Sequence, residues 1–124
     1  MRTLNNTFIL FLLSLLCHLN AYSEEPLHRI GTYNVRVITV ADTGDKAWEN
    51  RKEYVGRTIT DNNFDVVGLQ EISTDAQEND LKALLPDYTV ISWGRESATE
   101  KTGERVAIAF RTSKYDLLQE GHSF

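Results

Sequence analysis

The sequence predicts an α/β fold, and three consecutive segments carry that prediction. Residues 28–37 form a β-branched and aromatic run that is typical of a strand buried on at least one face. In residues 48–62, the side chains that would form one face of a helix recur at three- and four-residue steps, which predicts a helix. Within residues 65–71, Val66, Val67 and Leu69 form a nearly continuous apolar run, which predicts a central strand covered on both faces. Together they make one β-α-β unit.

Loop, capping and helix-breaking residues predict where the next elements begin and end. Residues 39–46 contain the run Asp-Thr-Gly-Asp, which predicts a loop before the first helix, with Asp45 as the N-cap of that helix. A second helix is predicted to begin at Thr74, because Gln77 stands three residues later, as in a capping box. Pro86 ends this helix, since proline cannot continue it.

The last third of the chain predicts further strands. Residues 88–93 form one, and a polar loop over 94–103 leads to a second, in which apolar residues alternate over 106–110. Residues 115–124 predict one more strand, although their alternation is poor. These strands would be hairpin-like and partly uncovered, and long unpaired edges promote aggregation. We therefore expect the chain to be the N-terminal part of a longer protein.

The N-terminal residues predict an export signal. Arg2 precedes a short apolar run over residues 8–16, and small residues at Ala21 and Ser23 suit a signal peptidase. We expect residues 1–23 to be a signal peptide and residues 24–124 to be the N-terminal part of a domain in a secreted or periplasmic protein without a stable membrane anchor. An uncleaved anchor is one alternative.

The single cysteine, Cys17, leaves a second alternative open, a lipoprotein. Leu16 argues against it, because a small residue is expected just before a lipidated cysteine. Cleavage after Ser23 would remove Cys17 and with it any disulfide or thiol chemistry. The formal net charge of −5 argues against charge-driven, nonspecific binding of nucleic acid. It does not exclude phosphate chemistry, because a bound cation can supply positive charge locally.

Two polar residues at strand ends are candidates for a metal site. Asn34 lies near the end of the first predicted strand, and Glu71 ends the second. Ligands of α/β sheets bind at the carboxyl ends of the strands, so both side chains should reach the same edge. Carboxylate and amide oxygens suit Mg²⁺ or Mn²⁺. The alternative is that Glu71 is a solvated strand end and Asn34 a turn residue with local hydrogen bonds.

Two further residues are weaker candidates for substrate binding. The guanidinium of Arg51 would match phosphate oxygens. The favoured alternative is a helix residue paired with Glu49, Glu53 or the preceding loop. Glu104 begins a strand beside a charged loop, where it could face substrate. Trp48 is expected in the core and not as a substrate platform.

Several segments, in order, resemble the endonuclease/exonuclease/phosphatase superfamily. Residues 64–71 (Phe-Asp-Val-Val-Gly-Leu-Gln-Glu) resemble its most characteristic motif, and residues 31–36 resemble its opening strand. Residues 48–52 resemble the start of its first helix, especially in the secreted bacterial and deadenylase-like branches. Residues 85–88 and 103–110 follow in the expected order, so the resemblance covers about the whole mature chain.

The resemblance implies a four-layer α/β sandwich of two mixed β-sheets flanked by helices, of which this chain is the N-terminal half. It implies that Glu71 binds the catalytic divalent cation, Mg²⁺ or Mn²⁺, and that Asn34 helps to hold the metal or orients the phosphate. Some nucleases of the superfamily carry Asp two residues after the Asn, where this chain has Arg36. That difference favours the branches that act on other phosphoesters.

The function expected from the resemblance is metal-dependent hydrolysis of a phosphodiester or phosphomonoester by an activated water. The substrate could be a nucleic acid, a sugar or inositol phosphate, or a phospholipid head group, and the full-length protein is expected to be a monomer. In the family, His and Asp residues of the second half activate the water, so this chain alone is expected to be inactive. The alternative is a catalytically dead or truncated domain that acts as a binding module.

Overall fold

A computed structural model of the chain describes residues 27–96 and 103–121. The predicted signal peptide, Cys17 and most of the predicted 94–103 loop lie outside the described residues, so export remains a prediction from the sequence. Within the described ranges, no helix is long and apolar enough to cross a membrane.

In the described part of the chain, four strands and two α-helices follow the order that the sequence predicts. They are β1 (Ile30–Asn34), α1 (Trp48–Asp61), β2 (Val66–Ile72), α2 (Asp75–Leu84), β3 (Tyr88–Gly94) and β4 (Arg105–Arg111). A single 3₁₀ turn, Gly44–Lys46, precedes α1. The helix and strand predictions up to residue 111 are thus confirmed, with boundaries that differ by a few residues.

The strands form one mixed sheet in the order β1-β2-β4-β3. β1 and β2 are parallel, as a β-α-β unit requires, and Asn34 pairs with Gln70 at their carboxyl ends. β4 runs antiparallel to both β2 and β3. The start of β4 therefore lies at the same edge of the sheet as the ends of β1 and β2.

One face of the sheet and both helices enclose the apolar core. Its buried side chains include Val55, Ile59, Leu69, Leu81 and Ala109. The opposite face is only partly covered, and Val106 and Ile108 are 60 % and 48 % exposed there. The predicted α/β class and mixed sheet are confirmed. The packing of a second sheet to give four layers stays a prediction, because the described residues form one sheet.

Two local predictions are wrong. Residues 115–121 form no strand; the backbone N–H groups of Lys114 and Tyr115 both donate to the carbonyl of Arg111, which turns the chain at the end of β4. Asp45 does not cap α1. The N-cap is Ala47, without a side-chain hydrogen bond, because the 3₁₀ turn that contains Asp45 intervenes.

The cap of α2 is confirmed. The backbone N–H of Gln77 donates to Thr74 Oγ1 at 3.1 Å. The side chain of Gln77 does not return to Thr74, as it would in a complete capping box. It accepts instead from the backbone N–H of Ser73, at 2.9 Å.

Candidate active site

The two candidate ligands meet at the carboxyl edge of the parallel strands. Asn34 ends β1, and Glu71 is the next-to-last residue of β2. Asn34 Nδ2 donates a hydrogen bond to Glu71 Oε1 at 2.6 Å. The β-α-β topology predicts the shared location, and the structure shows that the two side chains contact each other directly.

Glu71 lies on a β-bulge. Leu69 pairs with Ala107 and Ile72 with Arg105, so three residue steps of β2 oppose two steps of β4. Glu71 has a φ of 64°, in the left-handed region of backbone conformation that residues other than glycine rarely adopt. Bulges often lie beside active sites, where they redirect a side chain.

The amide oxygen of Asn34 fixes the chain that follows β1. It accepts a hydrogen bond from the backbone N–H of Arg36 at 2.8 Å, and Arg36 has a φ of 61°. This is the local turn contact that the sequence offers as the alternative role of Asn34. Asn34 therefore makes both contacts, with its amide nitrogen on Glu71 and its amide oxygen on the turn.

The surroundings of Glu71 keep its carboxylate ionised. The hydrogen bond from Asn34 and a second one from the backbone N–H of Val37 to Oε2, at 3.1 Å, lower the pKa of Glu71 below its usual value. The positive charges of Arg36 and Arg51 act in the same direction. Each carboxylate oxygen accepts one of these two bonds, which leaves lone pairs on both for a cation.

These donors fit one side of a Mg²⁺ or Mn²⁺ shell. Mg²⁺ is usually held by one or two carboxylates, and waters and substrate phosphate complete its octahedron. Glu71 supplies an ionised carboxylate as the ligand, and Asn34 orients it, because the amide oxygen of Asn34 accepts from the N–H of Arg36. Residues 27–96 and 103–121 contain no group of three or more His, Cys, Asp or Glu side chains that could hold a metal by themselves.

Arg51 holds the backbone around the site. Its guanidinium donates to the carbonyls of Lys46, Val35 and Arg36, and it stacks over the ring of Trp48 at 4.9 Å. Lys46 belongs to the loop before α1, so part of the structural role favoured from the sequence is present. Burial lowers the pKa of Arg51. Trp48 is 4 % exposed and belongs to the core.

Glu104 lies at the same edge of the sheet as Asn34 and Glu71, where it pairs with Arg95. It directly precedes Arg105, which pairs with Ile72 at the end of β2. Its carboxylate forms a 3.2 Å ion pair with Arg95, whose side chain is 71 % exposed. The structure thus brings Asn34 and Glu71 into contact, whereas the carboxylate of Glu104 is paired with the exposed side chain of Arg95.

Sequence reasoning missed two polar residues that shape the site. Asp42 forms a bidentate ion pair with Arg36, at 2.8 and 2.7 Å, and so fixes the side chain of the turn residue. Gln77 is fully buried, and its amide contacts the segments that follow both β1 and β2. The capping-box pattern did single out Gln77, but it assigned the residue to the helix end alone.

The lowered pKa of Glu71 predicts a loss of stability in acid. Because the folded pKa lies below the usual value of 4.5, the contribution of Glu71 is complete above pH 4.5 and is lost as the pH falls through the folded pKa. We expect the difference in unfolding free energy between wild type and Glu71→Gln to be constant near neutrality and to narrow below pH 4.5. Urea unfolding at several pH values measures this, and a pH-independent difference would contradict it.

A family model and several solved structures match this chain. Residues 31–120 match the model of the Endonuclease/Exonuclease/phosphatase family. An endonuclease/exonuclease/phosphatase family protein of Bacteroides thetaiotaomicron is 32 % identical, with a TM-score of 0.71 over 78 % of this chain and 36 % of that one. The mannosyl-6-phosphatase of the same organism is 32 % identical, with a TM-score of 0.70 over 77 % of this chain and 35 % of that one.

A curated relative comes from Neurospora crassa. It is the 3'-5'-exoribonuclease subunit Ccr4 of the CCR4-Not complex, which is 36 % identical over 86 residues. The match covers 63 % of this chain and 11 % of the relative. The chain therefore spans about a third of the solved structures that it matches and a small part of this curated relative.

Proposed function

Since the chain belongs to the endonuclease/exonuclease/phosphatase family, we propose that it supplies part of the active site of a divalent-metal-dependent phosphoester hydrolase. One observation carries the proposal: an ionised Glu71, held by Asn34 and by the N–H of Val37, stands at the carboxyl edge of two parallel strands. Ligands of α/β sheets bind at this edge.

In this proposal Glu71 is the metal ligand, and Asn34 orients its carboxylate. The hydrogen bond from Asn34 Nδ2 leaves the carboxylate one orientation relative to the strand end, so its free lone pairs point in a fixed direction. A bound Mg²⁺ or Mn²⁺ would neutralise charge on the substrate phosphate. Arg51 keeps the backbone of the segment after β1 in place around this pair.

The substrate is proposed to be a phosphoester, either a nucleic acid, a sugar or inositol phosphate, or a phospholipid head group. Two relatives support the sugar phosphate and the nucleic acid within this range, because one is named a mannosyl-6-phosphatase and another an exoribonuclease. Water activation needs a general base, and we propose that residues beyond this chain supply it. The 124-residue chain alone is then inactive.

Hydrolysis assays with metal removal test the function. The full-length natural protein is incubated with Mg²⁺ or Mn²⁺ and either 4-nitrophenyl phosphate, a monoester, or bis(4-nitrophenyl) phosphate, a diester. We expect release of nitrophenol from at least one ester. The rate should fall at least about 100-fold when a chelator removes the metal, and it should recover when excess metal is added. A rate that chelation leaves unchanged, or no hydrolysis with either metal, would refute the proposal and favour a binding module.

A further inference from the structure

The buried amide of Gln77 joins the two segments that follow the site strands. Its side chain is fully buried at the first turn of α2. Nε2 donates to the carbonyl of Arg36 at 2.9 Å. Oε1 accepts from both the backbone N–H and the hydroxyl of Ser73, at 2.9 and 3.1 Å. The amide nitrogen and the amide oxygen of Gln77 thus bind two chain segments that are far apart in sequence.

Ser73 extends this link to a second point after β1. Its hydroxyl donates to Gln77 and accepts from the backbone N–H of Ile38 at 3.0 Å. The segment Arg36–Ile38 is therefore held at both ends, by Gln77 and by Ser73. Between these ends lies Val37, whose N–H donates to Glu71 Oε2.

The held segment contains an unfavourable backbone conformation. Arg36 is in the left-handed region, as is Glu71, and neither is a glycine. Such conformations persist only where surrounding contacts fix them. The carbonyl that Gln77 binds belongs to Arg36 itself, so this contact acts directly on the strained residue.

We propose that Gln77 is a positioning residue for the metal site: it holds the segment Arg36–Ile38 so that the N–H of Val37 stays on the carboxylate of Glu71. This inference rests on the proposed function. Groups that orient a metal ligand without touching the metal commonly change affinity by about 10- to 100-fold when they are replaced. A residue that only anchored α2 would change stability and leave metal affinity unchanged.

A matched pair of variants separates the two roles. Gln77→Met keeps the size of the side chain and the backbone N–H that donates to Thr74, but it removes the amide. Thr74→Ala removes the cap of the same helix and keeps the amide of Gln77. The probe is Mn²⁺ alone, with its dissociation constant measured by electron paramagnetic resonance on the full-length protein. Hydrogen exchange of the Val37 amide is measured by NMR.

For Gln77→Met we expect Mn²⁺ to bind about tenfold more weakly and the Val37 amide to exchange faster. For Thr74→Ala we expect a melting temperature lower by a few degrees, with Mn²⁺ affinity within about twofold of wild type, because no contact to the site is lost. Wild-type Mn²⁺ affinity in Gln77→Met would overturn the inference. If that variant does not fold, Ser73→Ala decides, with a smaller loss of affinity expected and an unchanged affinity overturning it.

Glu71→Gln in the same binding assay distinguishes failure of this inference from failure of the proposed function. If Glu71→Gln binds Mn²⁺ as wild type does, the proposed metal site is wrong. If Glu71→Gln loses Mn²⁺ and Gln77→Met keeps it, the metal site stands and the positioning role of Gln77 is wrong.

Discussion

Replacing Glu71 with glutamine in the full-length protein is expected to lower kcat/KM for phosphoester hydrolysis by about 10²–10³-fold. A catalytic metal contributes several kcal/mol to the stabilisation of phosphate charge, and each 1.36 kcal/mol is a factor of about ten in rate. Glutamine preserves the shape of the side chain but removes the negative charge that holds the cation. Its amide nitrogen would also face one of the two N–H donors, from Asn34 or Val37, that now point at the carboxylate.

Glu53→Gln is the matched control, because Glu53 is an exposed acid on α1 with the same change of charge. It should keep wild-type kcat/KM. Initial rates at saturating Mg²⁺, together with unfolding curves for each variant, make the measurement. A Glu71→Gln enzyme with wild-type rate would show that the carboxylate does not serve catalysis. The kcat/KM of Asn34→Ala should lie between those of Glu71→Gln and Glu53→Gln, since this change releases the carboxylate of Glu71 without removing it.

Replacing Arg105 with methionine is expected to destabilise the fold by about 3–5 kcal/mol. Arg105 begins β4 and is 5 % exposed, and its guanidinium binds Glu78 Oε2 at 2.9 Å and Asp75 Oδ1 at 2.6 Å. Glu78, on α2, is 3 % exposed and also accepts from Ser92 and Lys82. Removing the arginine would leave a buried carboxylate with too little compensating charge.

Arg95→Met is the control for this prediction. Arg95 also pairs with a carboxylate, that of Glu104, but its side chain is 71 % exposed, so its loss should cost less than about 1 kcal/mol. Urea unfolding of the full-length variants gives both values. Adding Glu78→Gln to Arg105→Met should recover part of the loss, because the buried negative charge that Arg105 compensates is then removed as well. A loss below about 1 kcal/mol for Arg105→Met would mean that this network does not hold α2 to the sheet.

The elements up to the end of β4 could be predicted because each carries its own local signal. The continuous apolar run of β2 and the cap at Thr74 both mark elements that the structure confirms. The meeting of Asn34 and Glu71 also followed from the sequence, since parallel strands joined by a helix present their carboxyl ends together. The strand expected over 115–124 had the poorest alternation, and residues 115–121 do not form it.

The fine structure of the site could not be predicted, because it depends on contacts between distant segments. Nothing in the helical pattern of α1 indicates that Arg51 donates to carbonyls after β1, about 15 residues earlier. Nothing near Gln77 indicates that its amide reaches Arg36, which precedes it by 41 residues. The left-handed backbone of Arg36 and Glu71 is equally unmarked, since neither residue is Gly, Asn or Asp.

The bulge in β2 also decides which environment the carboxylate of Glu71 meets. Val67 and Leu69 are fully buried on the helix-covered face, and strict alternation would send residue 71 to that same face. A carboxylate there would lose its hydration, at a cost of several kcal/mol. The extra residue shifts the phase of the strand, so Ile72 takes the next buried position. An acidic group can therefore occupy an apolar strand because the strand changes phase at that point.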